Sequence, residues 1–184
     1  MPLTSRQAFT AQLLTLTPGD ASEAEAIQAL VALLTTHPQP FARDTLDPGH
    51  VTASALLLDA TGEHLALVWH EKLQRLLEPG GHCEPSDETV LAAALRELEE
   101  ETGARPDHVT LLHVHPVDVD VHTIPPHGHE GPHLHYDVRF AFRLTQPREL
   151  PLVTWVPLPD ALRHDEVSRR RCARKLLALA ETVT

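Results

Sequence analysis

Three glutamates stand at positions whose spacing brings their carboxylates together. Glu97, Glu100 and Glu101 are related as i, i+3 and i+4. Since each residue of an α-helix advances by about 100°, they would fall within an arc of about 100° on one side. Like charges at these spacings destabilise a helix by roughly a few tenths of a kcal/mol per pair unless a cation neutralises them. Because oxygen ligands favour Mg²⁺ or Mn²⁺ over zinc, the pattern indicates a magnesium site, with a solvated acidic helix face as the alternative.

A helix from about 86 to 102 must carry these glutamates. Ser86 is predicted as its N-cap, with Asp87 and Glu88 in the first turn, where the helix dipole favours acids. Gly103 follows as the residue that ends the helix. The apolar stripe that would bury the helix against a sheet consists of Leu91, Ala94, Leu95 and Leu98. The acidic side would then face a cleft from a rigid support.

The sequence around this helix extends the pattern. Gly81 precedes it, Glu88 stands eight residues before Arg96, and Arg96-Glu97-Leu98-Glu99-Glu100-Glu101-Thr102-Gly103-Ala104 ends it. This resembles the Nudix box, which reads Gly, five residues, Glu, seven residues, Arg-Glu-apolar-x-Glu-Glu-x-Gly-apolar. One departure occurs: six residues, not five, separate Gly81 from Glu88. Either the loop bulges by one residue, or Asp87 takes the place of the first acid.

The resemblance implies a catalytic arrangement. Glu97, Glu100, Glu101 and the carbonyl of Gly81 would bind Mg²⁺, with Mn²⁺ as the alternative ion. Metal-bound water would attack phosphorus in a diphosphate linkage. Glu100 or Glu101 would be the general base.

The same resemblance gives Arg96 an orienting role. Arg96 would pair with Glu88 or Asp87 and so hold the glutamates in place. The implied activity is Mg²⁺-dependent hydrolysis of a nucleoside diphosphate linked to another moiety. Two other functions stay open: an enzyme like isopentenyl-diphosphate isomerase, and a non-catalytic nucleotide-sensing domain. The sequence markers of particular substrate subfamilies are not found, so the substrate is left open.

The remaining elements predict an α+β fold. Strand-like runs occupy 51–58, 64–69, 109–114, 117–122, 134–144 and 152–156, and the turn Asp59-Ala60-Thr61-Gly62 makes a hairpin of the first two. A basic helix from Asp165 to about Thr182 closes the chain. Because helices and strands alternate irregularly, the class is α+β. The resemblance implies the Nudix-type α/β/α sandwich, with a mixed sheet between its helices.

The first 48 residues lie outside the resemblance and read as an N-terminal helical extension of a Nudix domain at 49–184. Two helices are predicted, separated by Thr17-Pro18-Gly19-Asp20 and ended by His37-Pro38-Gln39-Pro40. The first carries Phe9, Leu13, Leu14 and Leu16, and the second carries Ala26, Ile27, Leu30, Val31, Leu33 and Leu34. These helices would cover a sheet face or form a homodimer interface.

Composition limits the partners. With 26 acidic and 15 basic residues among 184, the net charge is −11, which repels nucleic acid. A polyanionic ligand would therefore need a cation or a local basic pocket. No apolar run is long enough to span a membrane, and no signal peptide is recognised, so a cytoplasmic location is expected. Cys83 and Cys172 have neither disulfide-scaffold nor zinc-site spacing.

Polar residues of one predicted strand are candidates for substrate binding. Alternation places His133, His135, Asp137 and Arg139 on one face, which would line the substrate cleft or lie in solvent beside a segment rich in histidine. A transition-metal site made of two histidines and an aspartate is a further alternative. The cations predicted to meet a phosphate are Arg139, Lys72 and Arg75.

Overall fold

The computed structural model describes residues 3–182, and the side chains of residues 6–180. The strands are β1 Gly49–Leu58, β2 His64–His70, β3 Arg75–Leu77, β4 Gly80–His82, β5 Val109–Leu111, β6 Asp118–Ile124, β7 His133–Leu144 and β8 Val153–Pro157. The helices are α1 Leu3–Leu13, α2 Ala21–Thr36, α3 Val90–Thr102, α4 Leu158–Ala161 and α5 Val167–Thr182, with a 3₁₀ turn at Pro106–His108.

The eight strands of the described chain form one mixed sheet. Its central strands β1 and β7 run parallel, in register from Gly49 opposite Leu134 to Leu58 opposite Arg143. The other pairings are antiparallel: β1 with β2 and β4, β2 with β3 and β8, and β7 with β5 and β6. The predicted α+β class is confirmed.

Strand β1 is buried along its whole length because helices cover both faces of the sheet. Ala53, Ala55 and Leu57 belong to the core that includes apolar residues of α1, α2 and α3. Leu56 and Leu58, which point the other way, belong to a second core with residues of α4 and α5. The layers are therefore helix, sheet and helix, as the α/β/α sandwich requires.

The N-terminal helices share the first of these cores. Asp20 caps α2, and the predicted apolar stripe of that helix is buried around Leu30, which has no exposed surface. Helix α1 ends at Leu13, so Leu14 and Leu16 lie beyond the helix to which they were assigned. Leu14 is exposed, while Leu16 still packs against the core.

Helix α3, which carries the three glutamates, begins later than predicted. Its N-cap is Thr89, whose side chain accepts a hydrogen bond from a backbone N–H of the helix at 3.0 Å, and not Ser86. Asp87 instead forms a turn: its carboxylate accepts from Glu84 N at 2.7 Å, and its N–H donates to the Glu84 carbonyl at 3.0 Å. The residues predicted to form the first turn of the helix therefore belong to this loop turn instead. Gly103 ends the helix in the left-handed region, with φ 77°, as expected.

All six predicted strands occur with shifted ends, and β3, β4 and α4 were not predicted. These three elements are three or four residues long, too short to show a period in the sequence. Within the described residues, every helix lacks the length and apolar character that a membrane crossing requires.

Candidate functional site

The acidic side of α3 packs against the glycines of β4. Strand β4 pairs with β1, which places Gly80 opposite Ser54 and Gly81 opposite Ala53. The N–H of Gly80 donates to Glu101 Oε2 at 3.0 Å. A Cβ on residue 81 would lie 2.5 Å from a carboxylate oxygen of Glu97, so a larger residue there would displace that carboxylate. The close approach of strand and helix holds two of the three glutamates in place.

Arg96 organises the other side of this acidic cluster. Its guanidinium donates to Asp87 Oδ1 and Oδ2 at 3.2 and 3.1 Å, and to the His82 carbonyl at 2.8 Å. It also donates to Glu97 Oε1 at 2.8 Å and to Glu100 Oε2 at 3.3 Å. The hydrogen bond to Asp87 is the largest cause of the raised pKa of Arg96, and the hydrogen bond to Glu97 adds to it. The guanidinium therefore stays charged. The guanidinium of Arg96 thus links the loop before α3 to the helix itself.

The acid that pairs with Arg96 is Asp87, which resolves the alternative left by the extra residue in the loop. Asp87 is buried, whereas Glu88 is exposed in the turn before α3. Relative to Arg96, the pairing acid therefore lies one residue earlier than in the Nudix box pattern. Glu88, which the resemblance also placed in the catalytic arrangement as a partner of Arg96, does not pair with it.

The electrostatics of the cluster favour a bound cation. Burial raises the pKa of Glu97, although Arg96 opposes the shift, and Glu100 adds to it. Burial also raises the pKa of Glu101, and the carboxylates of Glu97 and Glu100 add to it. The side chain of Glu100 is 57% exposed, which leaves it open to a ligand. Half-buried carboxylates that repel one another fit a hard divalent ion bound through oxygen.

An open cavity of about 1000 Å³ lies beside this cluster. One wall comes from the box region and includes Arg96, Glu97 and Glu100. Another part of the lining is the segment 38–44, which follows α2, together with Arg6 of α1. A cavity of this size accommodates a nucleotide-sized ligand. The N-terminal helices therefore help to form the candidate site as well as the core.

The cations that Arg6 and Arg43 contribute to the cavity were missed by sequence reasoning. Arg43 lines the cavity, and its side chain makes no hydrogen bond or ion pair within the described residues. Arg6 also lines the cavity, but its guanidinium donates to the carbonyls of Leu34 and Pro38. Nothing in the local sequence distinguishes Arg43 from a surface arginine, because its proximity to the glutamates arises from the fold alone.

Arg139 is not in this cavity, contrary to the expectation that it contacts substrate. It is 7% exposed, and it donates to Asp137 at 2.8 Å, to Asp118 at 3.2 Å and to Cys172 Sγ at 3.3 Å. Asp137 in turn accepts from Ser54 at 2.8 Å. The strand face was identified correctly as polar, but α5 covers this part of it, so the charges pair with one another inside the protein.

The other predicted substrate contacts also lie elsewhere. His135 belongs to a cluster of histidine rings with His50 and His133. Burial lowers the pKa of His135 to about 3, so its ring is neutral at pH 7. Lys72 and Arg75 are exposed, and Arg75 donates to Glu166 at 2.7 Å. Among the described residues, the cavity lining includes none of these predicted contacts.

Both cysteines are buried free thiols. Burial raises the pKa of Cys83 to about 12, with the nearby Asp87 as the next cause. Burial is also the largest cause of the raised pKa of Cys172, which accepts a hydrogen bond from Arg139. Both thiols therefore stay protonated at neutral pH. Neither is an activated nucleophile.

Comparison with known proteins identifies the family. The family model described as the NUDIX domain matches residues 48–177. The fold is similar to that of a C. elegans Ap4A hydrolase in a binary complex, with TM-score 0.54, 19% identity, and coverage of 72% of this chain and 98% of that one. It is also similar to that of an E. coli dihydroneopterin triphosphate pyrophosphohydrolase, with TM-score 0.56, 17% identity, and coverage of 68% and 92%. No curated protein matched the chain. Since the family model spans most of the chain, from the start of the sheet into the last helix, the protein belongs to the Nudix hydrolase family.

Proposed function

We propose that the protein is a Mg²⁺-dependent hydrolase of a phosphoanhydride linkage, in a nucleoside diphosphate linked to another moiety. The observation that carries the proposal is that Glu97, Glu100, Arg96 and Arg43 line the same cavity. Three glutamates on one helix supply negative oxygen ligands for a cation, and Arg43 supplies an unpaired positive charge for a phosphate.

Glu97, Glu100, Glu101 and the Gly81 carbonyl are the proposed ligands of the metal. When bound, Mg²⁺ would polarise phosphoryl oxygens and lower the pKa of a bound water from about 15.7 towards 7. The residues fit this ion because their donors are oxygens, and because Glu97 and Glu101 have raised pKa values that a nearby cation would reverse. Manganese, which prefers the same ligands, is the alternative ion.

The protein residues would have separate roles around the substrate. Arg96 positions Glu97 and Glu100 through its hydrogen bonds to both. Glu100 or Glu101 would accept the proton of the attacking water. Arg43 would bind a phosphate of the substrate at the mouth of the site.

Two fold neighbours are named for their substrates, one as an Ap4A hydrolase and the other as a dihydroneopterin triphosphate pyrophosphohydrolase. Both substrates contain phosphoanhydride linkages, which supports such a linkage as the target of this protein. A small nucleotide is also the proposed partner rather than nucleic acid, since the net charge is −11.

The direct test is a panel of nucleoside triphosphates, dinucleoside polyphosphates, nucleotide sugars and ADP-ribose, incubated with the purified protein. Phosphate or pyrophosphate release would be measured in Mg²⁺, Mn²⁺ or EDTA, with a coupled phosphatase for substrates that yield monoesters. Release that requires the metal supports the proposal. A silent panel, with Mg²⁺ binding shown by calorimetry, would instead favour a nucleotide-sensing domain.

A further inference from the structure

Three histidines meet where the two central strands begin. His50 is the second residue of β1, and the parallel register places it opposite His135 of β7. His133 lies two residues earlier on β7 and therefore on the same face. The ring centroids are 4.8 Å apart for His50 and His135, and 5.2 Å apart for His133 with each of the other two.

Hydrogen bonds fix the orientation of two of these rings. His50 Nδ1 lies 2.9 Å from the carbonyl oxygen of Thr45, and His133 Nδ1 lies 2.9 Å from the carbonyl oxygen of Gly131. A carbonyl only accepts hydrogen bonds, so each Nδ1 must carry the proton. Each Nε2 of a neutral ring is then left with a free lone pair. Metal-binding histidines have this same pattern, in which a backbone carbonyl orients the ring through the other nitrogen.

Two of the remaining nitrogens have no hydrogen-bond partner in the part of the chain that the structure describes. His50 is 1% exposed, and its Nε2 is buried without a hydrogen-bond partner among the described residues. His135 Nε2 is likewise buried and unpartnered. One ligand atom from each of the three histidines lies within 4.8 Å of those of the other two. Buried polar atoms without partners are unfavourable, so a ligand that accepts several lone pairs at once would stabilise this arrangement.

The structure assigns a zinc site to His50, His133 and His135, separate from the carboxylates of α3. An all-nitrogen set of neutral imidazoles suits zinc and is unsuited to Mg²⁺, which prefers oxygen. His82 is the adjacent side chain for a fourth ligand, with its ring 5.0 Å from that of His50 and 5.2 Å from that of His135. The sequence alternative of two histidines and an aspartate does not occur, because Asp137 pairs with Arg139.

Such an ion would stabilise one wall of the cavity. His50 is bonded to Thr45, which follows directly on the wall segment 38–44. Zinc would fix this connection to β7 by joining His50 to His133 and His135. We therefore expect zinc binding to stabilise the protein, and to do so without substrate or Mg²⁺.

The test uses the full chain without a histidine tag, stripped by a chelator and then loaded with zinc in a large excess of Mg²⁺. Bound metal would be measured by plasma mass spectrometry after gel filtration. We expect about one zinc per chain in the wild type, and the loss of this zinc in His133→Gln and His135→Gln. His113→Gln changes an exposed histidine outside the three-histidine cluster and should retain zinc. Glu101→Gln should retain it as well, since that carboxylate belongs to the other site.

A second measurement is independent of how the variants fold. X-ray absorption at the zinc edge of the wild-type protein should show nitrogen neighbours at about 2.0–2.1 Å with the scattering pattern of imidazole rings. Zinc should also raise the Tm of the wild type. A wild type that retains no zinc, a His135→Gln variant that retains it fully, or zinc surrounded by oxygen alone would overturn the assignment. The rings would then be a packed cluster of neutral histidines.

Discussion

Arg171 and Asp118 form a two-point ion pair inside the protein, with Nε–Oδ2 at 2.6 Å and Nη2–Oδ1 at 3.0 Å. Neither residue is more than 1% exposed. Arg171 also donates to Asp20, the N-cap of α2, at 3.1 Å. Lys175, one turn further along α5, pairs with the buried Glu23 of α2. This network joins α2 to the last helix and to the sheet.

Removal of Asp118 should destabilise the whole fold. Asp118→Ala leaves Arg171 and Arg139 without their shared partner, and breaking a buried pair in this way costs about 3–5 kcal/mol. The free energy of unfolding would be measured by urea denaturation. The matched control is Asp107→Ala, because Asp107 pairs with an arginine but is 64% exposed. A loss for Asp118→Ala no larger than that of the control would show that the network contributes little.

Acid should weaken the same junction through Asp20. Burial alone would raise the pKa of Asp20, but hydrogen bonds from Glu23 N, Ser22 and Arg171 lower it to about 2. A carboxyl whose pKa is lower in the folded than in the unfolded protein stabilises the fold at pH values above its unfolded pKa. That contribution is lost as pH falls from about 4 to about 2.

The variant Asp20→Asn isolates this charge, since asparagine is an equally good N-cap. Urea midpoints would be measured between pH 2 and 7 for both proteins. The wild type should be more stable at neutral pH, and the difference should shrink below about pH 4. A difference in urea midpoint that stays constant across this pH range would show that the charge of Asp20 does not stabilise the fold.

The glutamates of α3 should be required for activity. Glu100→Gln and Glu101→Gln remove a proposed ligand and candidate base, and the rate should fall by at least about 10²–10⁴-fold. The control is Glu99→Gln, an exposed neighbour on the same helix that is outside the proposed set. Steady-state rates in saturating Mg²⁺ would be compared with circular dichroism spectra. Wild-type rates in both variants would exclude the proposed metal site.

Asp87, and not Glu88, should support the metal site. Asp87→Asn weakens the hold on Arg96, which positions Glu97 and Glu100, and should lower Mg²⁺ affinity or activity by about 10–100-fold. Glu88→Gln, one residue away and exposed, should leave both unchanged. Mg²⁺ dependence of the rate would be measured for each. Equal effects of the two substitutions would mean that the pairing seen here does not control the site.

Arg43 should affect substrate binding more than the chemical step. Arg43→Ala removes the unpaired cation of the cavity wall, and the loss of a charged hydrogen bond should raise KM about tenfold or more. Arg163→Ala, a 79% exposed arginine outside the cavity lining, is the matched control. A KM unchanged from the wild type in Arg43→Ala would place the substrate phosphates elsewhere.

Elements that depend on local pattern could be predicted from the sequence. The spacing of Glu97, Glu100 and Glu101 on one helix and the polar face through His135 follow from the helical and strand periods. The helix end at Gly103 follows from the preference of glycine for the left-handed region. The family resemblance rested on fixed spacings within one segment, and the family model match confirms it. The N-cap at Thr89 was not predicted, because Asp87 forms a turn with Glu84 where the first helical turn was expected.

Which charged side chains are free to bind a ligand depends on how the helices and strands pack. Arg139 and Arg43 are indistinguishable as isolated arginines, yet α5 and three aspartates enclose the first, while the second is left unpaired on the cavity wall. The histidine site likewise needs His50, which comes next to His135 only when β1 pairs with β7. Burial and partnership are set by segments far apart in the chain. They cannot be predicted from the periodicity of one segment, because they arise where separate elements pack together and exclude water.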